Sequence, residues 1–427
     1  MAPTRPSTAT SAFHRADSDA AYDLDDHALL WWRSSGHALA VLLDKAGYLD
    51  DAQFRLLKFI RAVTPSLGRF PVSGKQKWRS FMTDDHTPIE LSWDWGTAGK
   101  PPKIRFSIEP VGPHAGTPLD PDNKSAAYGF LEMMVQLLPA THMDWLNHFR
   151  QRLCGPNVRG AIEGHATKEF YAFDLGEDDI VSKAYFFPGY EAKRTGQTNM
   201  DVILQTIRSA PGSTSEIAQA LSVFQDYVQD STTPPLEMDM LATDLVDTAA
   251  SRFKIYFRVR ASSFASMQNT MTLGNRLNHP GMQPALEDLR EFYHASRSQD
   301  CYVPSDDVNI IGNDHRTGGI LYYVELKSGS PIPMVKVYIP VRHYAESEET
   351  IINALDRHLR HVQSPNSDII ASYKDALQAI FTPESLQTRS GLHTYIACSI
   401  EADGELRVVS YINPCRARLV PTSKGRQ

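Results

Sequence analysis

The sequence predicts an α+β fold in which helices and pairs of β-strands form a repeated unit. Three observations favour this fold. Helix-like and strand-like segments take turns along the 427 residues. The strand-like segments alternate polar and apolar side chains with a period of two. A basic residue recurs on these segments about every 75 residues, which indicates five divergent copies of a helix-plus-two-strand unit.

Four segments carry apolar residues at helical spacing. The first is rich in leucine, and the second begins with a run of Ser and Thr that is typical of a helix N-terminus. We therefore predict helices over His27–Leu49, Ser213–Tyr227, Glu349–His361 and Ser367–Phe381.

Eight shorter segments alternate with the period of a strand. They are Ile89–Trp95, Lys103–Glu109, Ser182–Phe187, Arg252–Arg260, Ile320–Lys327, Val335–Pro340, Thr394–Ile400 and Glu405–Ile412. The segment Pro110–Asn123 is rich in Pro, Gly, Asp and Asn, so we interpret it as a long loop within one domain.

The polar faces of these strands are unusually basic and aromatic. In Arg252–Arg260 one face carries Lys and Arg around Tyr256, and the other carries only Phe, Ile and Val. A sheet with one face in water gives this pattern. A closed barrel with a polar lumen and a coat of helices gives it too. One strand fits both arrangements, so the choice depends on what several strands share.

Composition excludes several classes of protein. Apolar residues make up 42% and charged residues 22% of the chain, which is ordinary for a globular protein. The net charge of −7 argues against a nucleic-acid binder, and no apolar run is long enough to predict a transmembrane helix. The four cysteines, Cys154, Cys301, Cys398 and Cys415, form no CxxC pair, so we expect a reducing, cytoplasmic environment.

No Gly/Ser-rich or Pro-rich linker divides the chain, so we predict a single domain over residues 26–417. Residues 1–25 lack the apolar core of a secretory signal and are expected to be a disordered leader. Residues 418–427 are expected to be a disordered tail. The sequence leaves both a monomer and a homodimer open.

Three strands repeat the pattern Lys-x-Tyr, which places the two side chains on one face of a strand. The pairs are Lys183/Tyr185, Lys254/Tyr256 and Lys336/Tyr338. Arg105 and Arg407 extend the series of basic residues at similar intervals. If these faces converge in a barrel lumen, the fixed cations require an anion of matching charge, and a diphosphate fits.

The tyrosines beside these cations predict a second property. Tyrosine ring faces attract cations, so a layer of them beside a diphosphate suits an allylic diphosphate that ionises to a carbocation. The competing interpretation is a solvated strand face, which explains one Lys-x-Tyr pair more readily than three.

The strand Ile89–Trp95 adds a carboxylate to the polar set. Beside an aromatic acceptor in a lumen, Glu90 could take a proton from an indole N–H or a phenol during attack. We predict no metal site, because the chain lacks an Asp-Asp-x-x-Asp run and HExxH spacing. Walker A, GxGxxG and GxSxG motifs are also missing.

Together these segments resemble the fungal dimethylallyltryptophan synthase family of aromatic prenyltransferases. The resemblance runs from Trp31 to about Pro414. It is carried by Leu42–Tyr48, Thr83–Trp93, Arg105–Pro110, Lys183–Pro188, Arg252–Tyr256, Lys336–Pro340 and the closing segment from Tyr395 to Tyr411.

The resemblance implies an antiparallel ten-stranded β-barrel surrounded by α-helices, built from αββα units. It implies dimethylallyl transfer to an electron-rich aromatic ring with no required cofactor, neither Mg²⁺ nor Ca²⁺. It makes Glu90 the acceptor-binding general base. The implied diphosphate ligands are Arg105, Lys183, Arg252, Lys254 and Lys336, and the implied carbocation shield is Tyr185, Tyr256, Tyr338, Tyr395 and Tyr411.

Two positions depart from the family pattern: Phe187 replaces a shield tyrosine of some members, and Arg407 lies nearer Tyr411 than their basic residue does. The expected partners are dimethylallyl diphosphate and an aromatic small molecule, by default an indole such as tryptophan or an indole alkaloid. A phenolic polyketide or a quinolone is the alternative acceptor, and a non-catalytic ligand-binding barrel is the alternative class of protein.

Overall fold

Ten antiparallel β-strands close into one barrel in the computed structural model of the chain. The structure describes residues 10–18, 20–72, 76–96, 100–155, 160–298, 305–310, 315–362, 367–388 and 391–415. The strands are β1 (Ile89–Asp94), β2 (Lys103–Ile108), β3 (Glu169–Leu175), β4 (Ile180–Phe186), β5 (Leu236–Asp244), β6 (Arg252–Val259), β7 (Ile320–Lys327), β8 (Ser330–Ile339), β9 (His393–Ile400) and β10 (Leu406–Ile412).

Sixteen α-helices are described, and most of them lie between strand pairs. They are α1 (Ser11–Asp17), α2 (Ala20–Asp23), α3 (Asp26–Trp31), α4 (His37–Lys45), α5 (Asp50–Val63), α6 (Ala126–Leu137), α7 (Asp144–Leu153), α8 (Gly189–Thr195), α9 (Asn199–Arg208), α10 (Ser215–Gln229), α11 (Phe264–Met271), α12 (Met282–Ala295), α13 (Val341–Tyr344), α14 (Glu348–Val362), α15 (Ser367–Ile380) and α16 (Pro383–Gln387).

The repeated unit predicted from the basic residues is confirmed. Each strand pairs with its neighbours in sequence, and β1 closes the barrel on β10. Helices precede every one of the five pairs β1–β2, β3–β4, β5–β6, β7–β8 and β9–β10. The ten-stranded antiparallel barrel surrounded by helices is therefore the observed fold.

The two faces of the barrel wall belong to separate hydrophobic clusters. The outward residues of the strands, such as Trp93, Phe253 and Val337, pack with the helices in the main core. A smaller cluster that includes Tyr256 and Tyr338 fills part of the lumen. The basic faces are thus enclosed by the barrel, and the alternative of a sheet with one face in water is wrong.

Two strands escaped prediction because their alternation is weak. In β3 six of the seven residues are buried, and β5 is buried along its second half. The middle of β3 therefore reads as an apolar run, Phe170–Phe173, and β5 keeps the period-two signal only over Leu236–Met240. These strands carry residues of the candidate site that the sequence analysis therefore missed.

The predicted helix His27–Leu49 is interrupted. Helix α3 ends at Trp31, a π-helical turn spans Trp32–Gly36, and α4 ends at Lys45. A Cβ atom at position 36 would lie 2.4 Å from the Trp32 ring, so only glycine permits this close packing. Gly47, with φ of +84°, then turns the chain before Leu49.

Part of the leader predicted to be disordered is helical. Thr10 caps α1, and Phe13 of that helix stacks on Trp32 with ring centroids 4.8 Å apart. Asp17 accepts a hydrogen bond from the indole of Trp32. The prediction over residues 10–25 is wrong because this short segment buries its apolar side on α5 and the π-helical turn. Residues 1–9 and the predicted tail at 418–427 lie outside the described residues.

We expect Phe13→Ala to detach α1 without opening the barrel. Phe13 is buried against Trp32, so its truncation should cost about 3 kcal/mol of local packing free energy. Limited proteolysis should then cleave within residues 10–25 several times faster than in the wild type. The matched control is Tyr22→Ala, because Tyr22 is 90% exposed. Equal cleavage of both variants would contradict this role of Phe13.

None of the described helices is both long and apolar enough to cross a membrane. Three cysteines are described, Cys154, Cys398 and Cys415, and no disulfide bond joins any two of them.

Candidate active site

One end of the barrel lumen holds a ring of alternating charges, which we call the charged ring. Its cations are Arg105, Lys183, Arg252, Lys254, Lys336 and Arg407, and its carboxylates are Asp94, Asp174, Asp244 and Glu325. The cations lie on the second strand of each pair, and the carboxylates lie on the first strand of four pairs. Strand alternation turns all of them to the lumen face.

The predicted diphosphate ligands are thus brought together, and they are partly neutralised by protein carboxylates. Asp174 contacts Lys183 at 2.6 Å and Arg105 at 3.1 Å. Asp244 contacts Lys254 and Arg252, both at 2.6 Å. Because six basic residues face four carboxylates, the charged ring carries a net positive charge when its lysines are protonated.

Two further carboxylates, Asp94 and Glu325, complete the charged ring. Asp94 forms ion pairs with Arg105 and Arg407, which places Arg407 in the ring. Glu325 contacts Arg252 at 3.0 Å. Lys336 differs from the others: within the described residues no carboxylate lies within ion-pair distance of its ammonium group, which lies 5.6 Å from the Tyr338 ring centroid.

Burial and neighbouring charge set the ionisation of the charged ring. Burial opposes the charged form of Asp244, but Lys254, Lys183 and Arg252 outweigh it and hold its pKa well below the usual range. Burial also lowers the pKa of Lys183 to about 8, although Asp174 counteracts it. For Lys336, burial and the nearby Arg105 lower the pKa to about 7.

A layer of tyrosine rings lies next to the charged ring in the lumen; we call it the tyrosine layer. It contains the five predicted tyrosines and Tyr323, and its members are Tyr185, Tyr256, Tyr323, Tyr338, Tyr395 and Tyr411. Neighbouring ring centroids are 5.1–6.2 Å apart. Tyr323 was missed because the strand Ile320–Lys327 has no Lys-x-Tyr pair.

The strand geometry explains why the tyrosine layer lies next to the charged ring. A step of two residues along a strand keeps the same face and advances by about 6–7 Å. Two residues beyond Lys183, Lys254 and Lys336 the chain places Tyr185, Tyr256 and Tyr338. Phe187 follows at the next step, where it joins the apolar lumen cluster.

Glu90 lies beyond the tyrosine layer on β1, two steps from Asp94. It lines a cavity with five of the six tyrosines and with Arg342; the other lining residues are Phe81, Met82, Ser107, Phe170, Met240, Thr317 and Leu321. Thr394 Oγ1 donates a hydrogen bond of 2.5 Å to Glu90 Oε1. Burial raises the pKa of Glu90 to about 7, while Thr394 and Arg342 oppose that rise.

Arg342 is a site residue that sequence reasoning did not identify. Its Nε contacts Asp84 at 2.6 Å, and its Nη2 donates to the Tyr395 hydroxyl at 2.9 Å. Its Nη1 is buried and has no hydrogen-bond partner among the described groups. A signal was present, because Arg342 follows the recognised segment Lys336–Pro340 by two residues.

Comparison with known proteins shows which family the chain belongs to. The family described as tryptophan dimethylallyltransferase matches residues 27–376. The 4-O-dimethylallyl-L-tyrosine synthase of Claviceps purpurea is 33% identical over 415 residues, covering 93% of this chain and 90% of that protein. The 7-dimethylallyltryptophan synthase of Aspergillus fumigatus is 31% identical over 405 residues, covering 90% of this chain and 84% of that protein.

Solved structures share the fold. AnaPT from Neosartorya fischeri superimposes with a TM-score of 0.80 at 22% identity, covering 95% of this chain and 98% of that one. NotF in complex with brevianamide F and DMSPP gives a TM-score of 0.77 at 23% identity, covering 93% of this chain and 98% of that one. The chain therefore belongs to the tryptophan dimethylallyltransferase family of aromatic prenyltransferase enzymes.

Proposed function

We propose that this enzyme transfers the dimethylallyl group of dimethylallyl diphosphate to an electron-rich aromatic ring by electrophilic substitution without a metal ion. One observation carries the proposal: the tyrosine layer lies between a charged ring with excess positive charge and the buried carboxyl group of Glu90. Three groups thus follow one another along a single lumen. The first is suited to bind an anion, the second to stabilise a carbocation and the third to remove a proton.

The charged ring is the proposed diphosphate site. Its net positive charge attracts an anion, and Lys and Arg bind phosphate oxygens through charge-assisted hydrogen bonds. When the C–O bond of the donor breaks, its electron pair leaves with the diphosphate. The cations stabilise the charge that develops there, as a bound metal ion does in other enzymes.

The tyrosine layer is the proposed environment of the allyl cation. Each ring face attracts a cation by about 0.5–2 kcal/mol when water is absent. Burial raises the pKa of Tyr411 to about 12, so its hydroxyl stays protonated and does not capture the cation as a phenolate. The enclosed lumen also excludes water, which would convert the cation to an alcohol.

Glu90 is the proposed acceptor-binding group and general base. The aromatic ring attacks the allyl cation and forms the new carbon–carbon bond, and loss of a proton restores aromaticity. An oxygen acceptor forms a carbon–oxygen bond and loses its hydroxyl proton. With a pKa of about 7, Glu90 is well matched to accept that proton near neutral pH.

We propose a free aromatic amino acid as the acceptor, with the indole of tryptophan first and the phenol of tyrosine second. Arg342 lines the same cavity as Glu90, and its buried Nη1 has no hydrogen-bond partner among the described groups. A carboxylate would satisfy this buried donor, whereas an apolar acceptor would leave it unpaired at a cost of about 1–3 kcal/mol. The tyrosine acceptor is favoured by the relative that is 33% identical.

The test is a product assay by mass spectrometry with dimethylallyl diphosphate, in the presence and absence of EDTA. The acceptors are L-tryptophan, L-tyrosine, their decarboxylated amines, a quinolone and a phenolic polyketide. We expect a prenylated amino acid to form despite EDTA. A prenylated quinolone or polyketide alone would overturn the amino acid acceptor, and no diphosphate release with any acceptor would favour a barrel that only binds ligands.

Arg342→Gln separates carboxylate recognition from general damage to the site. We expect kcat/KM for the amino acid to fall about tenfold or more, since a hydrogen bond to a charged group contributes about 1.5–3 kcal/mol. The matched decarboxylated amine lacks the carboxylate, so its kcat/KM should change little. An equal fall for both substrates would contradict carboxylate binding by Arg342.

The lowered pKa of Lys336 predicts that binding of the donor, dimethylallyl diphosphate, depends on pH. Its pKa of about 7 means that the ammonium group is lost as pH rises, and an anion binds the protonated form. We expect the affinity for dimethylallyl diphosphate to fall about fivefold between pH 7 and 8, as measured by calorimetry. Lys336→Arg keeps its charge and should flatten the profile, whereas an unchanged slope would assign it to another group.

A further inference from the structure

His165 is a buried histidine whose two ring nitrogens lack partners. It is 5% exposed, and neither nitrogen makes a hydrogen bond with any described group. Burial, together with the nearby Arg316, lowers the pKa of His165 to about 3; the Thr167 backbone opposes this shift but does not reach hydrogen-bond geometry. Phe187 and Phe81 pack on the ring, with centroids 4.3 and 4.9 Å away. Buried polar atoms without partners are rare and require an explanation.

Two carboxylates face this histidine. Glu163, Asp239 and His165 each offer a ligand atom, and the three atoms lie within 4.8 Å of one another. A tight turn, closed by two backbone hydrogen bonds between Ile162 and His165, places Glu163 and His165 side by side. Asp239 comes from β5, and Asn199 donates a 2.7 Å hydrogen bond that orients Glu163.

Two arginines, Arg258 and Arg316, lie near these carboxylates. Arg316 stacks on Phe81 with its Cζ 4.5 Å from the ring centroid. In the part of the chain that the structure describes, it forms no ion pair with Glu163 or Asp239. Arg258 approaches Asp239 only to 3.8 Å and donates instead to the carbonyl groups of residues 317 and 318.

A second cluster, with one carboxylate and two histidines, behaves differently. Asp84, His315 and His343 also bring three ligand atoms within 4.8 Å. There Thr317 Oγ1 bonds to both histidines at 2.7 and 2.8 Å, and Arg342 pairs with Asp84. Protein groups satisfy that cluster, whereas both ring nitrogens of His165 lack a hydrogen-bond partner among the described groups.

We propose that Glu163, His165 and Asp239 bind one divalent transition-metal ion of the zinc type. One imidazole nitrogen and two carboxylate oxygens are a donor set for such ions, whereas Mg²⁺ and Ca²⁺ prefer oxygen ligands alone. The ion would satisfy His165 and tie the turn before β3 to β5. Glu163 is exposed, so the ion has a path from solvent.

This site is separate from the proposed chemistry. Asp239 precedes Asp244 of the charged ring by five residues on β5, roughly 15 Å along the strand. The ion would therefore stabilise the wall beside Phe81 and Phe187 and would take no part in diphosphate binding. Its presence is independent of whether prenyl transfer takes place.

The experiment measures zinc binding to the EDTA-treated full-length protein, by calorimetry and by thermal unfolding. We expect one Zn²⁺ per chain with a rise in Tm, and His165→Ala and Asp239→Asn should each weaken binding at least tenfold. Arg316→Gln removes a competing positive charge, so it should tighten binding. X-ray absorption at the zinc edge should give a ligand shell of nitrogen and oxygen with one imidazole.

His315→Ala is the matched control, because His315 belongs to the satisfied cluster. It should leave binding unchanged. Equal zinc binding by the wild type and by folded Asp239→Asn would overturn the proposal, as would loss of the ion in His315→Ala. Weaker binding in Arg316→Gln would also contradict it, and the near-isosteric Asp239→Asn keeps the test valid if His165→Ala fails to fold.

Discussion

Glu90→Gln should lower the rate of prenyl transfer by about 10²–10⁴-fold while leaving the binding of dimethylallyl diphosphate intact. Gln has the shape of Glu and can still accept the hydrogen bond from Thr394, but it cannot take a proton. Glu90 lies outside the charged ring, so the donor should bind as before. Single-turnover rates and donor affinity by calorimetry measure the two effects separately.

The pH profile gives an independent check of the same role. Because burial raises the pKa of Glu90 to about 7, kcat/KM should rise with pH until this carboxyl group is ionised near that value. Thr394→Val removes a hydrogen bond that lowers this pKa, so the rise should move to higher pH. A near-normal rate in Glu90→Gln, or a profile that ignores Thr394→Val, would contradict a general base at this position.

Asp244→Asn should destabilise the fold by about 3–5 kcal/mol, because it leaves Lys254 buried without its carboxylate partner. Arg252 keeps its contact with Glu325. The variant also adds one positive charge to the charged ring, so a bound diphosphate should raise its Tm more than that of the wild type. Urea unfolding with and without inorganic diphosphate measures both effects.

The direction of the pH effect follows from the pKa. Asp244 has a pKa below the ordinary 3.8 in the folded protein, so it stabilises the fold at neutral pH, and this contribution is lost as pH falls below about 4. The difference between the wild type and Asp244→Asn should therefore be largest at pH 7 and shrink in acid. A difference that stays constant with pH would show that the charge is not its cause.

Glu237→Gln is the matched control on the same strand. Glu237 pairs with Arg260, and their side chains are 52% and 45% exposed. An exposed pair contributes only about 0–1 kcal/mol, so this variant should unfold almost like the wild type. A large loss of stability in both variants would show that β5 is sensitive to any substitution, and that loss of the buried charge is not the cause.

The tertiary structure shows that protein carboxylates neutralise part of the positive charge of the basic residues. From sequence, cations on one strand face require an external anion. In the barrel, Asp174 and Asp244 supply part of that negative charge. Both lie on strands buried on two sides, whose alternation is too weak to predict, and each lies nine or ten residues before its partner on the next strand. The pairing becomes visible only when the hairpin register is known.

Local patterns by themselves determined the repeated helix-and-strand unit, the shared faces of Lys and Tyr, and the candidate role of Glu90. A period of two is a property of consecutive residues, so it can be read without the fold. Other features depend on residues far apart in sequence. They are the closure of the barrel, the continuous tyrosine layer, the burial of Arg342 Nη1 and the proximity of His165 to Asp239. Such contacts form only in the folded chain, because strand register and burial determine which residues meet.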